Sequence, residues 1–140
     1  MIEDTQAPVI RSAASTKPRT ILVIDDDPAM LEIIAWTLDD AGYTVAAVNS
    51  GREALQWIQA AEAVGEPPAL ILLDLAMPEM NGQQVVAALR QQCRGKNVPI
   101  VIITADLQAR PREQESGAAY TLTKPFDGEG LLGVVEQFAI

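Results

Sequence analysis

The sequence predicts an α/β protein with a doubly wound, five-stranded parallel sheet and helices on both faces. Short apolar runs alternate along the chain with segments that carry helix start and stop signals, which is typical of strand–helix units. Three of the runs consist of large aliphatic residues at every position, as expected for parallel strands that are buried on both faces. A length of 140 residues fits one domain with its own core.

Five short runs are predicted to be strands, and the last of them is the weakest. They are residues 21–24, 45–48, 70–73, 100–103 and 120–123. Residues 1–19 combine prolines with serines, threonines and scattered charges and show no periodicity, so we expect a disordered tail or linker there. The folded domain is therefore predicted to span residues 20–140.

The segments after the first two strands carry clear helix signals. Asp27 followed by Pro28 is typical of an N-cap and a first-turn proline, and Gly42 is expected to end this helix. Ser50 and Glu53 form a capping box at the start of the second helix. The apolar face predicted for the first helix consists of Met30, Ile33, Ile34, Leu38 and Ala41.

The sequence signals for the later helices differ in strength. One begins after the Asn81–Gly82 turn, and the last is capped by Asp127. Between the fourth and fifth strands, residues 106–116 contain Pro111 and one large apolar side chain. The fourth helix is therefore expected to be short or distorted.

Charge and composition exclude several classes of function. Nineteen acidic and ten basic residues give a net charge of −9, which argues against nucleic acid or anionic lipid as a partner. The chain contains no histidine, so histidine-dependent triads and histidine-ligated metals are excluded. A single cysteine, Cys93, excludes an intrachain disulfide. With neither a signal peptide nor a membrane-length apolar run, we expect a cytoplasmic protein.

Polar side chains follow the predicted strands at the points where the apolar runs end. Asp25 and Asp26 follow the first strand, and Asp74 follows the third. Thr104 and Lys124 follow the fourth and the fifth. Because the carboxyl ends of parallel strands lie at one edge of the sheet, we expect these five residues to converge where ligands bind in such folds.

Three carboxylates at one edge are unfavourable unless a cation binds them. Two like charges ~4 Å apart repel by about 4 kcal/mol at an effective dielectric constant of ~20. That is a large part of a domain stability of ~5–15 kcal/mol. A single acidic residue after a strand often serves only as the N-cap of the next helix, and we interpret Asp27 in this way. An all-oxygen site suits Mg²⁺, and Thr104 and Lys124 can bind the oxygens of a phosphate beside it.

Four motifs, in their order and spacing, resemble those of the receiver domains of two-component response regulators. They are ILVIDDDP at 21–28, LILLDLAMPEMNG at 70–82, IITA at 102–105 and LTKPF at 122–126. The resemblance implies the flavodoxin-like strand order 2-1-3-4-5. It also implies Mg²⁺-dependent transfer of a phosphoryl group from the phosphohistidine of a histidine kinase or a histidine phosphotransfer protein.

The resemblance further implies roles for individual residues. Asp74 would accept the phosphoryl group. The residues implied to hold Mg²⁺ are Asp25, Asp26, Asp74 and, through its carbonyl, Ala76. Those implied to bind the phosphoryl oxygens are Thr104, Ala105 and Lys124, and the Lys124–Pro125 bond resembles the cis peptide of the family. Such a protein catalyses its own phosphorylation and dephosphorylation but is not a turnover enzyme.

Two features depart from the family pattern. Receivers usually carry an aromatic or other switch residue three positions before the lysine, where this chain has Thr121, and a tyrosine lies one position earlier at Tyr120. The segment around Pro111 is short and poor in apolar residues, so we expect it to reorganise most easily. The switch candidates are Thr104, Thr121 and Tyr120.

Two other functions stay open from the sequence. The first is a Mg²⁺-dependent phosphatase with an aspartyl nucleophile, which usually has a second carboxylate two residues later, where this chain has Ala76. The second is a flavodoxin-like binding module, which is less favoured because no phosphate-binding loop follows the first strand. The residues after Phe126 suffice for one helix, so we expect a stand-alone receiver that binds an unknown downstream protein or passes the phosphoryl group on.

Overall fold

A computed structural model of the chain describes residues 20–74, 82–93, 98–105 and 118–139. The strands in these ranges are β1 Thr20–Ile24, β2 Thr44–Val48, β3 Leu70–Asp74, β4 Ile100–Thr104 and β5 Tyr120–Thr123. The helices are α1 Pro28–Asp40, α2 Gly51–Ala63, α3 Gly82–Gln92 and α4 Gly128–Phe138. The predicted tail, Ala76 and the segment around Pro111 lie outside the described residues.

All five strands belong to one parallel sheet in the order β2-β1-β3-β4-β5, which confirms the predicted topology. The chain runs outward from β1 to β2 and then returns past β1 to form β3. Strand order therefore reverses between β1 and β3, and a crevice forms at the carboxyl ends of these two strands. Ile24 pairs with Leu73, so Asp25 and Asp74 follow at the same level of the sheet.

The core consists of two apolar layers, one on each face of the sheet. Alternate residues of a strand point to opposite faces, so Ile21 and Val23 pack with α1 and α4, whereas Leu22 and Ile24 pack with α2 and α3. This two-sided burial explains why the runs of β1, β3 and β4 are apolar throughout. Among the described residues, no helix is long and apolar enough to span a membrane.

The helices begin where the sequence predicts. The predicted N-cap residues are Asp27, Ser50 and Asp127. The side chain of each accepts a hydrogen bond from a backbone N–H of the first turn. The carboxylate of Glu53 completes the cap of α2 by accepting the N–H of Asn49 at 3.1 Å. After α1, Gly42 has a φ of +97°, a conformation that glycine adopts without strain.

The buried face of α1 is narrower than the sequence predicts. Ile34 and Leu38 are buried, as expected, but Ile33 is 56% exposed and Ala41 is also exposed. The prediction placed Ile33 on the buried face, which is wrong. Ile33 lies about 100° around the helix from Ile34 and is beyond the edge of the contact with the sheet. Its exposure leaves an apolar side chain on the outer surface of α1.

Candidate functional site

Three carboxylates meet at the carboxyl ends of β1 and β3. One oxygen from each of Asp25, Asp26 and Asp74 lies within 4.8 Å of the others. Asp25 and Asp74 are buried, with 1% and 3% of their surface exposed, whereas Asp26 is exposed to solvent. This spacing and this set of oxygen atoms can hold one hard divalent cation.

Asp25 is a buried carboxyl group with only one of its two oxygens satisfied by the described residues. Its Oδ1 accepts the N–H of Asp27 at 2.9 Å, but its buried Oδ2 has no hydrogen-bond partner within the described ranges. Burial raises the pKa of Asp25 from 3.8 to about 7, and the neighbouring Asp74 adds to the rise. The N–H of Asp27 and the charge of Lys124 oppose it. An unpartnered carboxylate oxygen in this position is unfavourable unless a proton or a cation binds it.

Lys124 lies on the other side of Asp74. Its Nζ is 3.3 Å from Asp74 Oδ2, and its side chain keeps 25% of its surface exposed. The backbone N–H of Lys124 donates to the carbonyl of Thr104 at 2.8 Å, which joins the end of β4 to the residue after β5. The Lys124–Pro125 bond is cis, as the resemblance implied.

Thr104 and Ala105 lie at the end of β4, beside β3. Parallel pairing aligns Asp74 with Ile103, so Thr104 is one residue further along the neighbouring strand. Thr104 is buried, and Ala105 is exposed. The structure therefore places both residues at the edge of the sheet that carries the carboxylates, as the sequence predicts.

The two switch candidates on β5 belong to different faces of the sheet. Tyr120 packs with the layer under α1 and α4, and its ring centroid is 5.7 Å from that of Phe138. Thr121 pairs with Ile102, which belongs to the opposite layer. Thr121 is completely buried, and its Oγ1 has no hydrogen-bond partner in the described part of the chain.

The outer surface of α1 carries a feature that the sequence analysis missed. Trp36 is 68% exposed and lies one turn beyond Ile33 on the same side of the helix. The helix itself begins directly after the carboxylates of Asp25 and Asp26. A helical-wheel plot centred on Ile34 and Leu38, rather than on all apolar residues, would have found this pair.

Comparison with known proteins gives one consistent result. A family model described as "Response regulator receiver domain" matches residues 21–136. An uncharacterized 14.6 kDa protein of Leptolyngbya boryana, from the sodA1 3′ region, is 33% identical over 122 residues, which cover 86% of this chain and 89% of that protein. Longer curated relatives, among them transcriptional regulators and a sensor histidine kinase, also match, and the chain spans about half of their length or less.

Solved structures give the same picture. The chemotaxis protein CheY4 of Vibrio cholerae is 32% identical, with a TM-score of 0.75 and coverage of 87% of this chain and 99% of that chain. The response regulator protein TrrA of Thermotoga maritima, solved in complex with Mg²⁺ and BeF, is 27% identical. Its TM-score is 0.72, with coverage of 86% of this chain and 98% of that chain.

Without a divalent cation, the free energy of unfolding is expected to fall as the pH rises from about 4 to 7. The folded chain keeps the proton of Asp25 up to about pH 7, whereas the unfolded chain releases it near the ordinary value of 3.8, so deprotonation favours unfolding. Urea denaturation in EDTA across this range measures the effect. Asp25→Asn should remove most of the loss, and Asp39→Asn, an exposed acid on α1, should keep it. An equal loss in Asp25→Asn and the parent would contradict the assignment.

Proposed function

The chain belongs to the response regulator receiver domain family, and on that premise we propose that Asp74 accepts a phosphoryl group in a Mg²⁺-dependent reaction. The phosphoryl donor is the phosphohistidine of a histidine kinase or a histidine phosphotransfer protein. The observation that carries the proposal is the position of the Asp74 carboxylate. It lies between the carboxylates of Asp25 and Asp26 on one side and the Lys124 ammonium, at 3.3 Å, on the other.

The donor set fits magnesium. All three side-chain ligands are carboxylates, and the unpartnered Oδ2 of Asp25 is a buried oxygen that a cation would satisfy. We assign Asp25, Asp26 and Asp74 to the metal, together with the carbonyl of Ala76, which lies outside the described residues. When bound, Mg²⁺ neutralises the negative charge that a phosphoryl group brings to this acidic edge. The complex of the similar protein TrrA with Mg²⁺ and BeF supports the assignment.

The chain's own residues account for the remaining chemistry. A carboxylate attacks without a general base, so the lack of histidine is no obstacle. One oxygen of Asp74 bonds to phosphorus while the P–N bond of the phosphohistidine breaks and the imidazole nitrogen keeps the electron pair. Lys124, which pairs with Asp74 in this structure, then donates to the oxygens of the transferred phosphoryl group. Thr104 and Ala105, at the end of β4, supply further hydrogen-bond donors to the same oxygens.

Receiver domains are signalling domains, and we propose that this one is not a turnover enzyme. A phosphatase with Asp74 as its nucleophile needs a second group that first protonates the leaving group as an acid and then activates water as a base. The position two residues after Asp74, which usually supplies this group, is Ala76. We assign residues 20–140 to the receiver and residues 1–19 to a tail or linker. Phosphorylation then changes the binding of a downstream protein or is passed on.

The phosphodonor protein is proposed to bind the outer surface of α1. Ile33 and Trp36 are large apolar side chains, 56% and 68% exposed, on the helix that begins at the metal site. Neighbouring exposed apolar side chains commonly mark an interaction surface. The exposed acids Glu32 and Asp39 on the same helix favour a partner with basic residues around an apolar centre.

Incubation with acetyl phosphate and Mg²⁺ should add one phosphoryl group per chain, and EDTA should prevent the addition. Intact-mass spectrometry measures the adduct. The adduct should be absent in Asp74→Asn because the nucleophilic carboxylate is lost. Asp39→Asn serves as a control and should be labelled like the parent. Labelling of Asp74→Asn at the parental level would rule out Asp74 as the acceptor.

Substitution of Asp26 and substitution of the adjacent Asp27 should affect different properties of the protein. Asp26→Ala should weaken Mg²⁺ binding about tenfold or more, equivalent to ~1.4 kcal/mol, because one of three carboxylate ligands is lost. Asp27→Ala should mainly lower the free energy of unfolding, by ~1 kcal/mol, because the N-cap of α1 is lost. Calorimetric metal titration and urea denaturation of both variants test this. The assignment fails if Asp27→Ala weakens metal binding more than Asp26→Ala does.

Substitution on α1 should affect transfer from a protein donor but not from a small molecule. Trp36→Ala is expected to slow transfer from a cognate kinase about thirtyfold, because loss of a tryptophan that becomes buried in an interface commonly costs ~2 kcal/mol or more. Labelling by acetyl phosphate should not change. Val64→Ala, which alters an equally exposed apolar residue at the end of α2, is the matched control. Equal rates of phosphoryl transfer from the kinase to the two variants would exclude α1 as the docking surface.

A further inference from the structure

A cleft lies at the amino-terminal edge of the sheet, at the opposite ends of the strands from the three carboxylates. Its volume is about 480 Å³, within the ~300–1,000 Å³ that is typical of small-molecule sites. Three of its lining residues directly precede β3, β4 and β5, and they are Ala69, Pro99 and Ala119. Ala69 is five residues before Asp74, which separates the two by about 16 Å at ~3.3 Å per residue. The cleft is therefore distinct from the proposed phosphorylation site.

The walls of the cleft are mainly apolar and are held in place by the fold. The N–H groups of Ala69 and Ala119 donate to the carbonyls of Thr20 and Ile100, each at 2.8 Å, so both alanines are fixed to the sheet. Phe138, at the end of α4, also lines the cleft and packs against the core layer under α1 and α4. These walls favour a small ligand with an apolar body.

One charged side chain lines the cleft within the described part of the chain. Arg90 lies in the last turn of α3, and its Nη1 donates to the carbonyl of Val98 at 2.6 Å, which fixes the guanidinium at the wall. A guanidinium carries five N–H donors in one plane, so it can bind this carbonyl and a carboxylate together. Gln137 lines the same cleft and adds a neutral polar group.

The rest of the chain disfavours ligands with several negative charges. The net charge is −9, and α3 and α4 end beside the cleft, where their last carbonyls carry partial negative charge. A single arginine can balance one carboxylate but not the charges of a phosphate monoester or a nucleotide. We propose that the cleft binds a small monocarboxylate with an aromatic or aliphatic body, with the carboxylate on Arg90 and the body against Phe138 and the two alanines.

Three probes separate the two parts of this recognition. Benzoate has the ring and the carboxylate, benzamide has the same shape without the charge, and acetate has the carboxylate without the ring. Each probe is titrated into the ¹⁵N-labelled chain in EDTA, so that binding does not depend on a divalent cation. The shifts of the amide signals measure both the affinity and the place of binding.

Two variants alter the cleft, and each has a matched control. Arg90→Gln removes the charge, and Ala119→Phe fills the cleft with a ring. Arg52→Gln and Ala63→Phe make the same changes at exposed positions of α2 that do not line the cleft. The amide spectrum of each variant also shows that the variant is folded.

Benzoate should bind at least tenfold more tightly than benzamide or acetate, with the largest shifts at the amides of Ala69, Ala119 and Phe138. Arg90→Gln should bind benzoate about tenfold more weakly and benzamide like the parent, because only the charge-assisted hydrogen bonds are lost. Ala119→Phe should lose the binding of both, and the two controls should keep the parental affinities.

Four results would each overturn the proposal. They are the absence of saturable benzoate binding by the parent, shifts concentrated outside the cleft, unchanged benzoate binding by Ala119→Phe, and equal weakening of benzoate and benzamide in Arg90→Gln. The last result would mean that Arg90 only maintains the shape of the cleft through its bond to Val98.

Discussion

Burial of two neighbouring carboxyl groups at the carboxyl ends of β1 and β3 is the constraint on which the rest of the site depends. Asp25 and Asp74 are both buried, and a strand pairing that aligns Ile24 with Leu73 holds them at the same level. The two strands are buried along almost their whole length, and their pairing fixes the relative positions of the two residues on the backbone. The fold therefore maintains a local deficit of positive charge that Lys124 only partly meets, and this deficit makes the site responsive to a cation.

The same sheet distributes the functional groups from its centre to one edge. The metal-site acids follow β1 and β3, whose side chains are packed on both faces. Thr104 and Lys124 lie toward the β5 edge, and they are joined by a backbone hydrogen bond of 2.8 Å. The backbone of Thr104 is thus linked directly to Lys124, the residue that follows β5. The acids of the site therefore lie at the centre of the sheet, and the lysine lies toward the β5 edge.

Sequence reasoning predicted the strands, the caps and the converging acids because each depends on local pattern or on the general rule that parallel strands end at one edge. It could not assign Tyr120 and Thr121 to their faces, since a four-residue edge strand with mixed polarity has no clear alternation. It also misplaced Ile33, because an apolar residue at the margin of a helix face is buried or exposed according to how the helix sits on the sheet. The unpaired Oδ2 of Asp25 depends on tertiary packing and has no sequence signal.

The hydrogen bond from the Asp27 N–H to Asp25 Oδ1 links the acidic edge to the start of α1. Asp27 also caps that helix, so one residue contacts both a carboxylate of the site and the first turn that leads toward Ile33 and Trp36. Binding at two linked positions is reciprocal: if a cation on Asp25 shifts the equilibrium orientation of α1, a protein bound to α1 shifts the cation affinity by the same factor. If the bound cation strengthens docking on this helix, a partner that docks there in turn raises the affinity for the cation.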